Sequence, residues 1–229
     1  MRLVAGLATA ATLAAIGAVP ATAAAPKPAP KPKPVCNLVV DDKGDATAST
    51  VPGDTSVDLV GGDFASNAKT LTAIIRVDKL VNPNPQAPFG QSYFATFTVK
   101  GLADTLTLSV GLYPTGNEYK FGYQGVDPNT GVNTSYTLGD AKGSFDTAKG
   151  ELRVSADIAK FPQAKSLKVG GQVTTLTLEA RRVYGQRVVP SQDTPAGVRL
   201  PLGGLTLTFD TAAGKKYTLG APSCVKVGA

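Results

Sequence analysis

The sequence predicts an all-β fold, a single antiparallel β-sandwich of immunoglobulin-like or jelly-roll-like type. Two observations carry this prediction: segments in which apolar and polar residues alternate, and turn-forming clusters that separate those segments at short intervals. No window carries an apolar stripe of helical period with caps at its ends. Many short strands joined by turns are typical of sandwiches and barrels.

The alternating segments recur along the chain. In TLTLSVGLY, residues 105–113, the apolar side chains of Leu106, Leu108, Val110 and Leu112 fall on one face, as in a half-buried strand. Similar segments are LTAIIRVDKL (71–80), SYFATFTVK (92–100), ELRVSADI (151–158), VTTLTLEA (173–180) and GLTLTF (204–209). The turn clusters between them are GG (61–62 and 170–171), NPNPQAP (82–88), PTGN (114–117), DPNTG (127–131), TAKG (147–150) and AAGKK (212–216).

One long segment interrupts the alternation. Residues 185–201, GQRVVPSQDTPAGVRLP, contain three prolines and mixed polarity, which predicts a loop. Long loops in compact domains are often functional. A loop that only covers one end of the sandwich is the alternative.

The chain begins with two segments outside the expected sandwich. Residues 1–25 have a positive Arg2, an apolar run and small-residue A-x-A sites, which predict a secretory signal peptide; the alternative is an uncleaved membrane anchor. Residues 26–35 alternate proline and lysine, which favours an extended stalk. The sandwich is expected over residues 36–229, and no later run is long enough to span a membrane.

The positive charge belongs largely to the N-terminus. Four of the 23 Lys and Arg residues precede residue 36, which leaves 19 against 17 acidic residues in the rest of the chain. No basic cluster beyond Arg181 and Arg182 remains, so we expect no nucleic-acid partner. The expected protein is secreted or extracellular, associated with the cell surface or free of it, and monomeric.

Two cysteines bracket the expected domain. Cys36 and Cys224 form an even pair, which in an oxidising compartment predicts a disulfide across almost the whole domain. The bond requires the first and last strands to lie side by side. Lipidation of Cys36 is the alternative, although the stalk separates this cysteine from the apolar segment.

The amino-acid composition excludes the catalytic mechanisms that need histidine or a free thiol. The sequence has no histidine, which excludes Ser-His-Asp triads, Cys-His dyads and histidine metal sites. A paired Cys36 and Cys224 leave no thiol nucleophile, so we expect no enzyme. A carboxylate-dependent extracellular hydrolase remains the alternative, because a pair of carboxyl groups suffices for glycoside hydrolysis.

An acidic turn follows the first apolar run. DDKGD supplies Asp41, Asp42 and Asp45, and Asp54 and Asp58 come soon after. Calcium prefers six to eight oxygen ligands in a flexible loop, so the segment is a candidate calcium site. The spacing is not that of an EF-hand, and an ion-free turn is the alternative.

An aromatic row provides a candidate ligand site. Tyr119, Phe121 and Tyr123 share one face of a predicted strand. Exposed rings could stack on sugars, whereas buried rings would belong to the core. Both interpretations remain open.

Several short motifs resemble a family of secreted actinobacterial domains. They are VVDDKGDAT (39–47), SVDLVGGDFASNAKTLTAIIRVDKL (56–80), KGSFDTAKGELRVSADIAKF (142–161) and YTLGAPSC (217–224). The chain also resembles, distantly, the β-sandwiches of DOMON domains and family-nine carbohydrate-binding modules. These folds bind sugars, haem or calcium. The resemblance implies calcium ligands at Asp41, Asp45 and Asp58, with Asp42 where the pattern has proline. Haem is not expected, since histidine is absent and the only methionine is Met1.

The expected function is therefore non-catalytic. We expect a secreted binding or structural domain that acts at or outside the cell surface, with cell-wall or extracellular polysaccharide as the candidate partner. A purely structural accessory domain held by a calcium ion is a further alternative.

Overall fold

Two antiparallel β-sheets form the protein. The computed structural model describes residues 32–48, 55–84, 87, 89–182 and 208–228. The expected signal peptide, most of the stalk and the long loop at 185–201 lie outside these residues. The smaller sheet contains, in spatial order and numbered along the chain, Val39–Val40 (β1), Leu59–Ser66 (β3), Thr70–Val77 (β4), Glu151–Asp157 (β10) and Lys142–Asp146 (β9).

The larger sheet carries the strands with the clearest sequence alternation. In spatial order it contains Thr47–Ala48 (β2), Thr208–Ala213 (β12), Gln172–Arg182 (β11), Gln91–Val99 (β5), Thr105–Tyr113 (β6), Gly116–Val126 (β7) and Asn133–Asp140 (β8). A short strand, Tyr217–Thr218 (β13), also pairs with β11.

The core lies between the two sheets, where the predicted alternation places it. Phe97 of β5 and Leu106 of β6 are paired in register, and both are fully buried. From the smaller sheet, Phe64 of β3 reaches across to Phe97, with ring centroids 4.7 Å apart. The predicted all-β sandwich is confirmed.

Two features of the fold differ from the turn and strand pattern of the sequence. Gly61 and Gly62, expected in a turn, lie inside β3 beside β1. A Cβ atom on Gly62 would lie 2.3 Å from the carbonyl oxygen of Ile74, so the close strand packing requires glycine. Two 3₁₀ helices, Ile158–Lys160 and Ala164–Ser166, follow β10 and place Phe161 against Phe121 of β7 with ring centroids 4.9 Å apart.

The predicted disulfide between Cys36 and Cys224 is present. It joins Cα atoms 5.3 Å apart across a sequence separation of 188 residues. The cysteines lie in the segments that flank the sheets, where Val35 and Ser223 form a parallel bridge. The first and last strands themselves pair elsewhere, β1 with β3 and β13 with β11.

Within the described part of the chain, no helix has the length and apolar character needed to cross a membrane.

Removal of the disulfide should destabilise the domain, because the bond closes a loop that spans nearly all of it. For the double variant Cys36→Ser/Cys224→Ser we expect the free energy of unfolding to fall by about 2–5 kcal/mol. Urea denaturation of the two proteins, monitored by circular dichroism, measures the difference. A loss below about 1 kcal/mol would contradict the constraint that the disulfide is expected to impose.

Candidate metal centre

The chain changes sheets within its first folded segment. β1 pairs with β3 in the smaller sheet, and β2 pairs with β12 in the larger sheet. The connection between β1 and β2 is the acidic turn, which therefore crosses the edge of the sandwich. Carboxylates of this turn are brought close to side chains from the edges of both sheets.

Asp58 organises the turn. Its carboxylate is 4 % exposed, and both oxygens accept hydrogen bonds from the Gly44 N–H, at 3.0 and 2.8 Å. Gly44 has a φ of +86°, a left-handed conformation that glycine adopts without strain. Lys43 forms an ion pair with Asp78 on the other side of the turn. The turn therefore has a defined shape, fixed by side chains that lie beyond it.

Asp210 connects the two sheets. It belongs to β12 of the larger sheet and is 7 % exposed. One carboxylate oxygen accepts a hydrogen bond of 2.7 Å from the backbone N–H of Leu59 in β3, and the other accepts one of 2.7 Å from the Thr211 N–H. Each oxygen keeps a second lone pair for another partner.

Three carboxylates meet at this edge of the sandwich. Oxygen atoms of Asp41, Asp45 and Asp210 all lie within 4.8 Å of one another. Asp45 is exposed, Asp41 is partly buried and Asp210 is buried, so the group extends from the surface inwards. The Oδ2 atom of Asp41 is buried and accepts no hydrogen bond from any described residue. Such an orphaned buried oxygen requires compensation from another source.

The pKa values of these carboxyl groups reflect their burial and their mutual repulsion. Burial, followed by the neighbouring carboxylates of Asp210 and Asp45, raises the pKa of Asp41 to about 6. Burial also raises the pKa of Asp210, although hydrogen bonds from the Leu59 and Thr211 N–H groups act in the opposite direction. The cluster therefore resists full ionisation when no cation compensates it.

The donor set fits calcium. Calcium binds hard oxygen ligands at about 2.3–2.6 Å, so oxygens around one ion lie at most about 5 Å apart. The three carboxylates satisfy this limit and supply between three and six oxygens, depending on whether each binds through one oxygen or two. Backbone carbonyls of the turn and water could complete the usual six to eight ligands.

The sequence predicted two of these three carboxylates. Asp41 and Asp45 lie in the cluster, whereas the predicted third ligand, Asp58, is not part of it and accepts hydrogen bonds from the Gly44 N–H instead. Asp210 was not predicted. Asp210 directly follows the predicted strand segment GLTLTF (204–209) and lies far in sequence from the acidic turn. Asp210 and Ala212 are both buried in β12, and the alternation of the sequence does not indicate this burial.

The predicted aromatic row faces the interior of the sandwich. Phe121 is 3 % exposed and belongs to the core, and Tyr119 and Tyr123 are partly buried against it. The Tyr123 ring stacks on Tyr136 of β8, with centroids 4.8 Å apart. Ligand binding by this row stays a prediction.

Comparisons of the chain with protein families, with curated proteins and with solved structures found no match. The resemblance to DOMON domains and family-nine carbohydrate-binding modules thus stays a prediction.

The raised pKa of Asp41 predicts an unusual pH dependence for the calcium-free protein. Because the pKa is about 6 in the folded state and 3.8 in the unfolded reference, protonation of Asp41 favours folding. This stabilisation is present at low pH and is lost as pH rises through about 6. From pH 7 to pH 5 in EGTA, we expect the melting temperature of the wild type to rise relative to Asp41→Asn by about 2 °C, a value that allows for solvent screening.

Thermal melts of both proteins across this pH range measure the effect. Carboxyl groups outside the cluster titrate alike in both proteins, so the difference reports on Asp41 and its coupling to Asp45 and Asp210. Parallel curves for the two proteins would contradict the expected titration.

Proposed function

We propose that this protein is a non-catalytic extracellular domain whose sandwich is held by a calcium ion at Asp41, Asp45 and Asp210. The observation that carries the proposal is the convergence of these three carboxylates around a buried oxygen of Asp41 that has no hydrogen-bond partner among the described residues. A divalent cation supplies the missing partner and offsets the repulsion between the carboxylates.

The position of the site gives the ion a structural role. Asp41 and Asp45 lie on the segment that crosses between the sheets, and Asp210 hydrogen-bonds from one sheet to the other. An ion that binds all three would fix the N-terminal segment to the sandwich. The nearby disulfide, which also anchors this segment, is typical of secreted proteins.

The surroundings of other acidic groups favour a non-catalytic role over the carboxylate-dependent hydrolase. Glu151 accepts a 3.2 Å hydrogen bond from Arg76, and Glu179 forms an ion pair with Arg181. Asp140 binds Lys120, and that hydrogen bond lowers the pKa of Asp140. A general acid in a glycosidase needs a raised pKa. These groups are engaged in ion pairs instead, and the described carboxyl groups that do have a raised pKa, Asp41 and Asp210, are those assigned to the calcium ion.

Calcium titration tests the proposal. Extracellular calcium modules bind with dissociation constants of about 0.1–1 mM, so 10 mM calcium should stabilise the fold by about 1.4–2.7 kcal/mol. For a domain of this size, the melting temperature should rise by about 3–10 °C. Magnesium at the same concentration should act more weakly, because it dehydrates reluctantly and demands stricter geometry.

Two matched variants make the test specific. Asp45→Asn removes one carboxylate from the exposed side of the cluster and should abolish most of the calcium-dependent shift. Asp42→Asn makes the same charge change at an exposed neighbour outside the cluster and should retain it. No shift in the wild type, or equal loss in both variants, would exclude the proposed calcium site.

A further inference from the structure

A groove on the outer face of the smaller sheet carries the excess positive charge of the domain. One part is a cavity of about 530 Å³ beneath the C-terminal segment, and the other is a cavity of about 360 Å³ beside the end of β10. Gly228 lines both, so the two cavities adjoin. We call their combined surface the basic groove. Its cationic side chains are Arg76, Arg153 and Lys226 in the first cavity and Lys69, Lys142 and Lys160 in the second.

The cations of the groove are unequally compensated. Arg76 binds both Asp63, at 2.9 Å, and Glu151, at 3.2 Å, so this guanidinium is neutralised. Arg153 donates to the backbone carbonyls of Lys226 and Gly228 and thereby positions the C-terminal segment. Arg76 and Arg153 therefore build the walls of the first cavity.

The ammonium groups of the exposed groove lysines, unlike the guanidinium groups of Arg76 and Arg153, have no bonded partner among the described residues. No side-chain hydrogen bond or salt bridge joins the ammonium groups of Lys69, Lys142, Lys160 or Lys226 to another described residue. The two carboxylates that line the second cavity have hydrogen-bond partners outside the groove lysines, although the charge of Lys160 also helps to lower the pKa of Asp140. Asp140 binds Lys120 at 2.6 Å, and Asp157 accepts a hydrogen bond from the Ala159 N–H.

The positive charge of the groove is large compared with the net charge of the whole domain. From residue 36 onwards, Lys and Arg exceed Asp and Glu by only two. Six cationic side chains against three carboxylates line the groove, an excess of three. The acidic cluster lies by β1 and the groove reaches β9, and these are opposite edge strands of the smaller sheet. The domain is therefore polarised, and the groove attracts anions.

From this geometry we propose that the basic groove binds an acidic polysaccharide, whose carboxylates contact Lys69, Lys142, Lys160 and Lys226. The proposal rests on the non-catalytic extracellular role proposed above, and it names the class of ligand. Hydroxyl groups of Thr70 and Ser144 line the same cavities and can hydrogen-bond to sugar hydroxyls. The groove extends over two cavities, as an extended polymer requires.

Two other polyanions fit the groove less well. Single-stranded nucleic acids bind through aromatic side chains on which bases stack, and no aromatic residue lines the groove. Anionic membranes retain proteins through apolar side chains as well as charge. None of the exposed large apolar side chains in the described chain lines the groove.

Affinity measurements with polygalacturonate test the proposal. The full chain should bind polygalacturonate at low salt. It should lose affinity at about 0.3 M salt, where electrostatic screening is strong. The triple variant Lys69→Gln/Lys142→Gln/Lys160→Gln should bind about tenfold more weakly. The matched control Lys100→Gln/Lys168→Gln/Lys215→Gln removes the same charge from exposed lysines outside the groove and should bind within about twofold of the wild type.

Comparison ligands decide the class of partner. Dextran, an uncharged polysaccharide, should not bind, and oligodeoxythymidylate and phosphatidylglycerol vesicles should bind more weakly than polygalacturonate. Absence of binding to polygalacturonate, equal loss in the two triple variants, or tighter binding of any comparison ligand would overturn the proposal. The calcium-dependent melting shift is measured without polysaccharide, so failure of the calcium site is seen separately.

Discussion

The fold depends on how the N-terminal segment passes from one sheet to the other. β1 belongs to the smaller sheet and β2 to the larger, so residues 41–46 must cross the edge of the sandwich. The crossing brings Asp41 and Asp45 next to Asp210, which itself bonds from β12 to the backbone of Leu59. Mutual repulsion of three carboxylates opposes this arrangement, and a bound cation reverses the sign of the interaction.

A disulfide bond anchors the N-terminal segment just before β1. The disulfide fixes Cys36 to Cys224, and the C-terminal segment continues from Cys224 across the outer face of the smaller sheet. Arg153 holds that segment by two backbone carbonyls, which forms one wall of the basic groove. The two chain ends thus shape the two candidate sites. The acidic cluster depends on the N-terminal crossing, and the groove depends on the C-terminal segment.

The alternation of apolar and polar residues did not identify β3, β8 or β9. It predicted β4, β5, β6, β7, β10 and β11, because alternation reflects a physical requirement that a strand with one buried face satisfies locally. β5 and β6 illustrate this, since every second residue of each is buried. The sites were harder to predict because they combine residues distant in sequence. Asp210 is 165 positions beyond Asp45, so no local sequence pattern connects the two. The lysines of the groove come from four separate segments, and only the folded structure brings them together.

The most direct test of the calcium account is a crystal structure grown with calcium, with anomalous diffraction used to identify the ion. The account predicts an anomalous peak about 2.3–2.6 Å from carboxylate oxygens of Asp41, Asp45 and Asp210. It also predicts that the Oδ2 atom of Asp41, which has no hydrogen-bond partner among the described residues, is one of the ligands. A well-ordered turn with no anomalous peak between these three carboxylates would contradict it.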